Sequence, residues 1–397
     1  MMRMNIILIV VSLVFFSKCK ITHGESEIAR KDVKEIKVEE LTGDFLKIDS
    51  IFNSITAVKL ETNENNLIKH CQKVLLSNDR IYILNDKSNL LVFSLDGKFI
   101  QEISRKGRGP GEFFELRDFQ VDKNDNIYLL DYGKILMFSK GGNLLDSFSF
   151  RKFCAKSHCN PLEFALTDKF GEFYLWGGSF GIKSNRNKDC YALYKVDKSS
   201  DIIERYFPLK HLIVGNCNRF RSFDDLINVE PVFGNDTIYA IRDNKFEARY
   251  AINCGDRSLK EKVPENLSTL SKFKSKVSEN YFIDFRNFIE TKGWCHFKFS
   301  FKKQVYNAYY CKSSNKTFVS RSYPRVPNRF TPHFMHTNYG DKMVAIANAY
   351  QIVKEIERLL ENKSELSDDE LRLISTLSDI KATDNPVLLI CEMKEVS

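Results

Sequence analysis

Glycine and proline are scarce in this chain, 18 and 9 of 397 residues, which excludes a collagen-like fibre and a Pro/Gly low-complexity protein. Beyond residue 18 no apolar run reaches the roughly 20 residues that a membrane-spanning helix needs, so a polytopic helical membrane protein is excluded as well. Ten cysteines include no C-x-x-C pair, which removes zinc-ribbon and thioredoxin readings. There is no G-x-S-x-G and no H-E-x-x-H, and no catalytic carboxylate pair stands at a recognisable spacing. Lys and Arg number 60 against 52 acidic residues, a formal +8, but they are spread along the chain and interleaved with Asp and Glu. A nucleic-acid binder gathers its bases into a stripe, so no nucleic-acid partner is expected.

Aromatic residues are what the chain has in abundance: 32 Phe and 16 Tyr point towards β structure. The first residues read as an export signal. Arg3 supplies the positive region, and Ile6–Phe16 supplies an apolar stretch too short to span a bilayer. Phe16-Ser17-Lys18-Cys19 has the form of a lipobox in which Cys19 takes the lipid; the rival is cleavage after Gly24, with small residues at Thr22 and Gly24. The expected division is a signal peptide over 1–18, a Lys/Glu-rich tether over 19–44 and a folded domain over 45–397. The expected address is the periplasm or outer-membrane surface, with membrane contact only through the lipid.

A repeat runs through the folded part. Ile81-Tyr82 and Ile127-Tyr128 stand 46 residues apart, and Phe173-Tyr174 follows 46 residues later. Further copies begin at Thr237-Ile238, around Phe297 and at Asp341-Lys342. Each unit alternates apolar and polar residues between short turns, the period-2 pattern of strands. Units of 40–50 residues with about four strands are blades of a β-propeller. Six fit the length, giving an all-β, six-bladed propeller of four-stranded blades. Orphan apolar strands at Ile51–Leu60 and Pro386–Met393 are expected to share one blade and close the ring. Residues 347–381 are helical by spacing, with a capping box at Ser367–Glu370, so a helical hairpin is inserted before the closing strand. A weaker helix follows Pro264.

Candidate sites are diffuse. The phrase Arg105-Lys106-Gly107-Arg108-Gly109-Pro110-Gly111-Glu112-Phe113 specifies a tight backbone path. Its amides, with Arg105 and Arg108, can hold an anion; alternatively it is a blade crossover, with Glu112 pairing an arginine and Phe113 plugging the core. Two segments mix cations with aromatics: Arg219 and Arg221 beside Phe220 and Phe223, and Arg321, Tyr323, Arg325 and Arg329 beside Phe330. Placed at a channel mouth they suit a glycan, a peptide or a partner protein, with an anionic or amphipathic ligand favoured. Asn85, Asp131 and Asp341 lie at strand ends, where they either hold a metal or cap turns. His333 and His336 fall on opposite faces if they share a strand. Cys154, His158 and Cys159 lack a fourth metal ligand. Cys295 and Cys311 lie in facing aromatic strands, and a turn centred on Lys303 sets them opposite, so a disulfide can join them. No metal, no other cofactor and no catalytic residue is assigned. The expectation is a non-catalytic binding propeller; the alternatives are a metal-dependent propeller hydrolase or lyase, and a structural scaffold of the envelope.

The GRGPGEF phrase, together with Thr56–Thr62 near the start and Asp384–Leu389 near the end, resembles bacterial six-bladed β-propeller envelope proteins that are NHL-like and often lipoproteins. The resemblance implies a secreted or surface-anchored propeller and supplies no reaction to carry over.

Overall fold

A computed structural model of the chain describes residues 51–86, 89–103, 106–179, 190–208, 218–264, 267–321, 335–361 and 366–395. It also describes residues 32–38 and positions 26, 28, 29, 41 and 332. The segment expected to be an export signal, and Cys19, lie outside the described residues.

Six sheets stand around one axis. Blade I runs outward through Cys71–Leu76, Arg80–Asn85, Asn89–Ser94 and Phe99–Ile103. Blade II starts at the axis with Asp118–Val121, blade III with Cys159–Leu166, blade IV with Phe220–Phe223, blade V with Ile283–Glu290 and blade VI with Met335–Tyr339. Strands that follow one another in the chain within a blade pair antiparallel, and in blades I and II short turns join them. One such sheet alone exposes two apolar faces, and stacking buries both. An apolar cluster accordingly fills every boundary: Tyr82 against Phe119 between blades I and II, Tyr128 against Phe164 between II and III, and Trp176 against Tyr239 between III and IV. Tyr250 meets Phe297 between IV and V, Trp294 meets Met343 between V and VI, and Val344 meets Ile81 between VI and I. Each fully buried large side chain contributes roughly 1.5–3 kcal/mol, so the aromatic richness of the sequence is the material of these seams.

The ring closes as expected. Phe52–Lys59 is the outermost strand of blade VI and pairs antiparallel with Val387–Met393, Lys59 opposite Val387. Asn385 fastens the join: its side-chain oxygen accepts the Ile68 N–H at 2.8 Å, and its amide donates to the carbonyls of Glu61 and Asn66. Helices Ala349–Leu360 and Asp368–Thr376 interrupt blade VI before the closing strand, and the Ser367/Glu370 capping box is formed. Helix Leu267–Val277 follows Pro264.

Three details differ from the sequence expectation. Blade IV has a fifth strand, so Thr237–Arg242 stands third from the axis rather than second. The extra strand, Phe220–Phe223, is pushed towards the axis. Part of the supposed tether is not a tether: Lys34–Lys37 pairs in parallel with Tyr250–Asn253 on the outer edge of blade IV, and Ile36 and Val38 are buried there. Finally, Cys295 stands opposite Tyr310 and Cys311 opposite Trp294. The connecting turn has two central residues, Lys302 and Lys303, both at positive φ, so the register is one residue off the symmetric guess. The two thiols point to opposite faces of blade V, into different seams, and both are free.

Candidate functional site

The inner strands carry polar side chains towards the axis, and these tie blade to blade. Lys73 of blade I donates to Asp118 of blade II at 2.7 Å, and Asp118 accepts the Phe164 N–H of blade III. Burial pushes the Asp118 carboxyl up and the neighbouring Glu163 adds to this, while Lys73 opposes it. Glu163 of blade III accepts the Arg219 N–H of blade IV at 2.6 Å. Arg221 of blade IV donates to Asn287 of blade V, which donates to the Met335 carbonyl of blade VI at 2.8 Å. Two further bonds cross the axis: Asn218 donates to the Gln72 carbonyl on the opposite side at 3.0 Å, and Arg221 reaches the His336 carbonyl. The displaced strand of blade IV thus partly plugs the channel.

Above this plug, at the face where the inner strands end, lies a pocket of about 670 Å³. Blades I, II, III, IV and VI wall it, and its mouth is formed by the loops that lead from inner to second strands. Phe170, 60% exposed, stands at the rim with its ring 5.6 Å from that of Phe148. The four lining Lys and Arg residues are all paired. Lys73 is on Asp118, Arg221 on Glu230 at 2.5 Å, Lys123 on Asp225 at 3.1 Å, and Lys169 on Glu172. Asp168, Asp224 and Asp243 on the same lining are exposed and have no ion pair among the described residues. The field at the mouth is therefore acidic.

Of the residues singled out in the sequence, Phe220, Arg221, Phe223 and His336 line this pocket, and Arg221 is buried and locked to Glu230. Removing it strands a buried carboxylate, which costs roughly 3–5 kcal/mol, so Arg221 belongs to the fold. Arg219 stacks on Trp176 at 4.6 Å and donates to the Pro231 carbonyl. Arg321 ends the outer strand of blade V, and Arg108 is exposed on the other face of the ring. Arg105, Tyr323, Arg325, Arg329 and His333 lie outside the described residues. The signature loop is closed on itself: Glu112 accepts the Gly109 N–H, Gly107 donates to the Phe113 carbonyl, and Phe113 is fully buried in the seam of blades I and II. Glu112 holds the loop's own amide, which is the crossover alternative in a different form.

Asn85 accepts the Lys69 N–H, Asp131 accepts those of Phe114 and Glu115, and Asp341 accepts that of Lys292. These three side chains shape loops. His336 accepts the Ile346 N–H through Nδ1. Among the described residues no group of three His, Cys, Asp or Glu side chains is placed to hold a metal. The acidic rim was missed in the sequence because its members come from separate blades and share no motif.

Fold and axial plug define the class, a six-bladed β-propeller with a partly filled channel. The chain belongs to the family described as Domain of unknown function DUF4934, whose model matches residues 33–392. It is similar in fold to a Bacteroides fragilis NCTC 9343 protein assigned as exported, at 20% identity and TM-score 0.67, covering 91% of this chain and all of that one. It is also similar to a DUF4221 family member from Bacteroides vulgatus, at 12% identity and TM-score 0.54, covering 87% and 98%. No curated protein matches the chain.

Proposed function

We propose that the protein is an exported, non-catalytic envelope propeller, held at the membrane through Cys19, that binds a peptide, partner protein or glycan in the axial pocket. The observation that carries this reading is the pocket itself: about 670 Å³, ringed by five blades and floored by the axial plug. Its charge favours a cationic or neutral polar ligand over the anionic one that the scattered arginines suggested. Three rim carboxylates await a partner while the lining cations already have theirs. Each exposed ion pair contributes only ~0–1 kcal/mol, so Phe170 and the pocket walls supply the remainder by contact with the ligand body.

The test is calorimetric titration with tetra-lysine, a chitosan tetramer and poly-glutamate. Tetra-lysine or the chitosan oligomer binds, more weakly at high salt, and Asp224→Asn with Asp243→Asn weakens that binding about threefold (~0.7 kcal/mol) while the melting temperature stays put. Binding of poly-glutamate alone overturns the charge assignment. Silence from every probe favours a structural scaffold.

A further inference from the structure

The N-terminal arm crosses the outer rim in one direction. Going backwards along the chain, the Lys37 carbonyl accepts the Thr317 hydroxyl of blade V, Lys34–Lys37 lies on blade IV, and Ala29 bridges Glu247 of the same blade. Ser26 then reaches blade III, where its N–H donates to the Arg205 carbonyl at 2.8 Å and its hydroxyl accepts the Arg205 N–H at 3.0 Å. The strap thus ends on the outer strand of blade III, Ile202–Pro208. Six residues lie between Cys19 and Ser26, seven backbone steps in all. At no more than about 3.6 Å each they span at most ~25 Å, less than the thickness of a bilayer.

A second observation concerns the same side of the molecule. Among the described residues, the large apolar side chains exposed on outer strands are Ile100 of blade I, Leu145 of blade II and Ile203 of blade III. The outer edge of blade IV is covered by the strap, whose Ser26 also occupies the edge of blade III at Arg205, and helix Asp368–Thr376 packs on the outer strand of blade VI. Exposed Lys152 and Lys156 lie on helix Arg151–Ser157, which links blades II and III and where Lys152 pairs with Asp201 at 2.9 Å, and exposed Lys198 lies in the turn before Ile202–Pro208. Free strand edges bearing apolar residues are ordinarily protected. Aliphatic side chains between long lysines suit a lipid interface, where the ammonium groups meet headgroups and the stems stay apolar.

We propose that the rim of blades II and III faces the membrane leaflet, held there by the short leash between Cys19 and the Ser26 clip. This rests on the lipid-anchor reading above. It sets the propeller on its side, so that the axis lies along the membrane plane and the pocket mouth opens laterally.

The full-length acylated protein is reconstituted into phosphatidylethanolamine/phosphatidylglycerol vesicles whose acyl chains are brominated. Trp176 and Trp294 are buried and give a constant background. Leu145→Trp and Ile203→Trp are expected to be quenched at least twofold more than Tyr350→Trp, which lies on the helical insertion of blade VI. Twenty Gly/Ser residues inserted between Glu25 and Ser26 are expected to abolish that difference. Equal quenching at all three sites in an acylated protein that floats with the vesicles overturns the orientation alone. A difference that survives the insertion overturns the leash as its cause. A mass spectrum showing no acyl group on Cys19 overturns the anchor reading and this inference together.

Discussion

Burial fixes the protonation state of single side chains in the blades, and His296 shows what this does to stability. His296, on the second strand of blade V, is fully buried, with Nε2 3.1 Å from the Asn307 side-chain oxygen and its ring 4.8 Å from Tyr309. Burial, reinforced by the like charge of Lys298, pushes its pKa down to about 3 from 6.5. The folded state therefore excludes a proton that the unfolded chain accepts below pH 6.5. This contribution is whole above pH 6.5 and is lost as pH falls towards 3. Between pH 7 and pH 5 the loss amounts to about 2 kcal/mol. His296→Gln removes the titration, so the stability difference between the two pH values, measured by urea unfolding, should be smaller in the variant by about that amount. An unchanged difference means His296 is protonated in the folded protein.

At the scale of elements, turns decide what strands alone leave open. Gly97 lies in the turn between the third and fourth strands of blade I at φ +87°, and a Cβ there falls 2.0 Å from the Lys59 carbonyl oxygen of the closing blade. The same turn gives its carbonyl to the Glu61 N–H. Gly97→Ala therefore meets both a strained backbone and a backbone clash, and should cost at least about 2 kcal/mol in denaturant unfolding. Gly141→Ala, with nothing nearer than 3.9 Å, should stay within about 0.5 kcal/mol of the parent. Strands were legible in the sequence because alternation and the 46-residue offset report burial directly, and the inserted helices because their apolar spacing and capping box are local. The Cys295–Cys311 register was not legible: an odd or even number of turn residues shifts pairing by one, and Lys302-Lys303 is a two-residue turn. The strap was hidden because Ile36 and Val38 are two apolar residues among lysines and glutamates, too few to show a period. The fifth strand of blade IV broke the count for the same reason, being only four residues long. The pocket was illegible because loops more than 150 residues apart build its rim, and what unites Asp168, Asp224 and Asp243 is curvature of the ring.

At the scale of the molecule the ring has one covalent gap, inside blade VI between Val387–Met393 and Phe52–Lys59, and everything depends on how it is bridged. The bridge combines the antiparallel pairing of Phe52–Lys59 with Val387–Met393, the Asn385 staple, and the apolar seams on either side of blade VI, where Val387, Leu389 and Cys391 face one boundary and Leu388 the other. In a closed ring every blade is supported on two sides, so no blade unfolds without exposing two seams, and unfolding is cooperative. Removing residues 384–397 takes out the third strand of blade VI and leaves Phe52–Lys59 without its partner. Both seams of blade VI then lose that strand's apolar residues, Val387, Leu389 and Cys391 on one side and Leu388 on the other. The truncated protein should show no single cooperative transition in scanning calorimetry, with broad, early loss of signal. The Ile36→Asp variant damages only the seam of blades IV and V under the strap, and should keep one transition at a lower temperature. A truncated protein that melts like the intact one would show that the four seams away from blade VI hold the ring, and that closure through the terminal strand is dispensable.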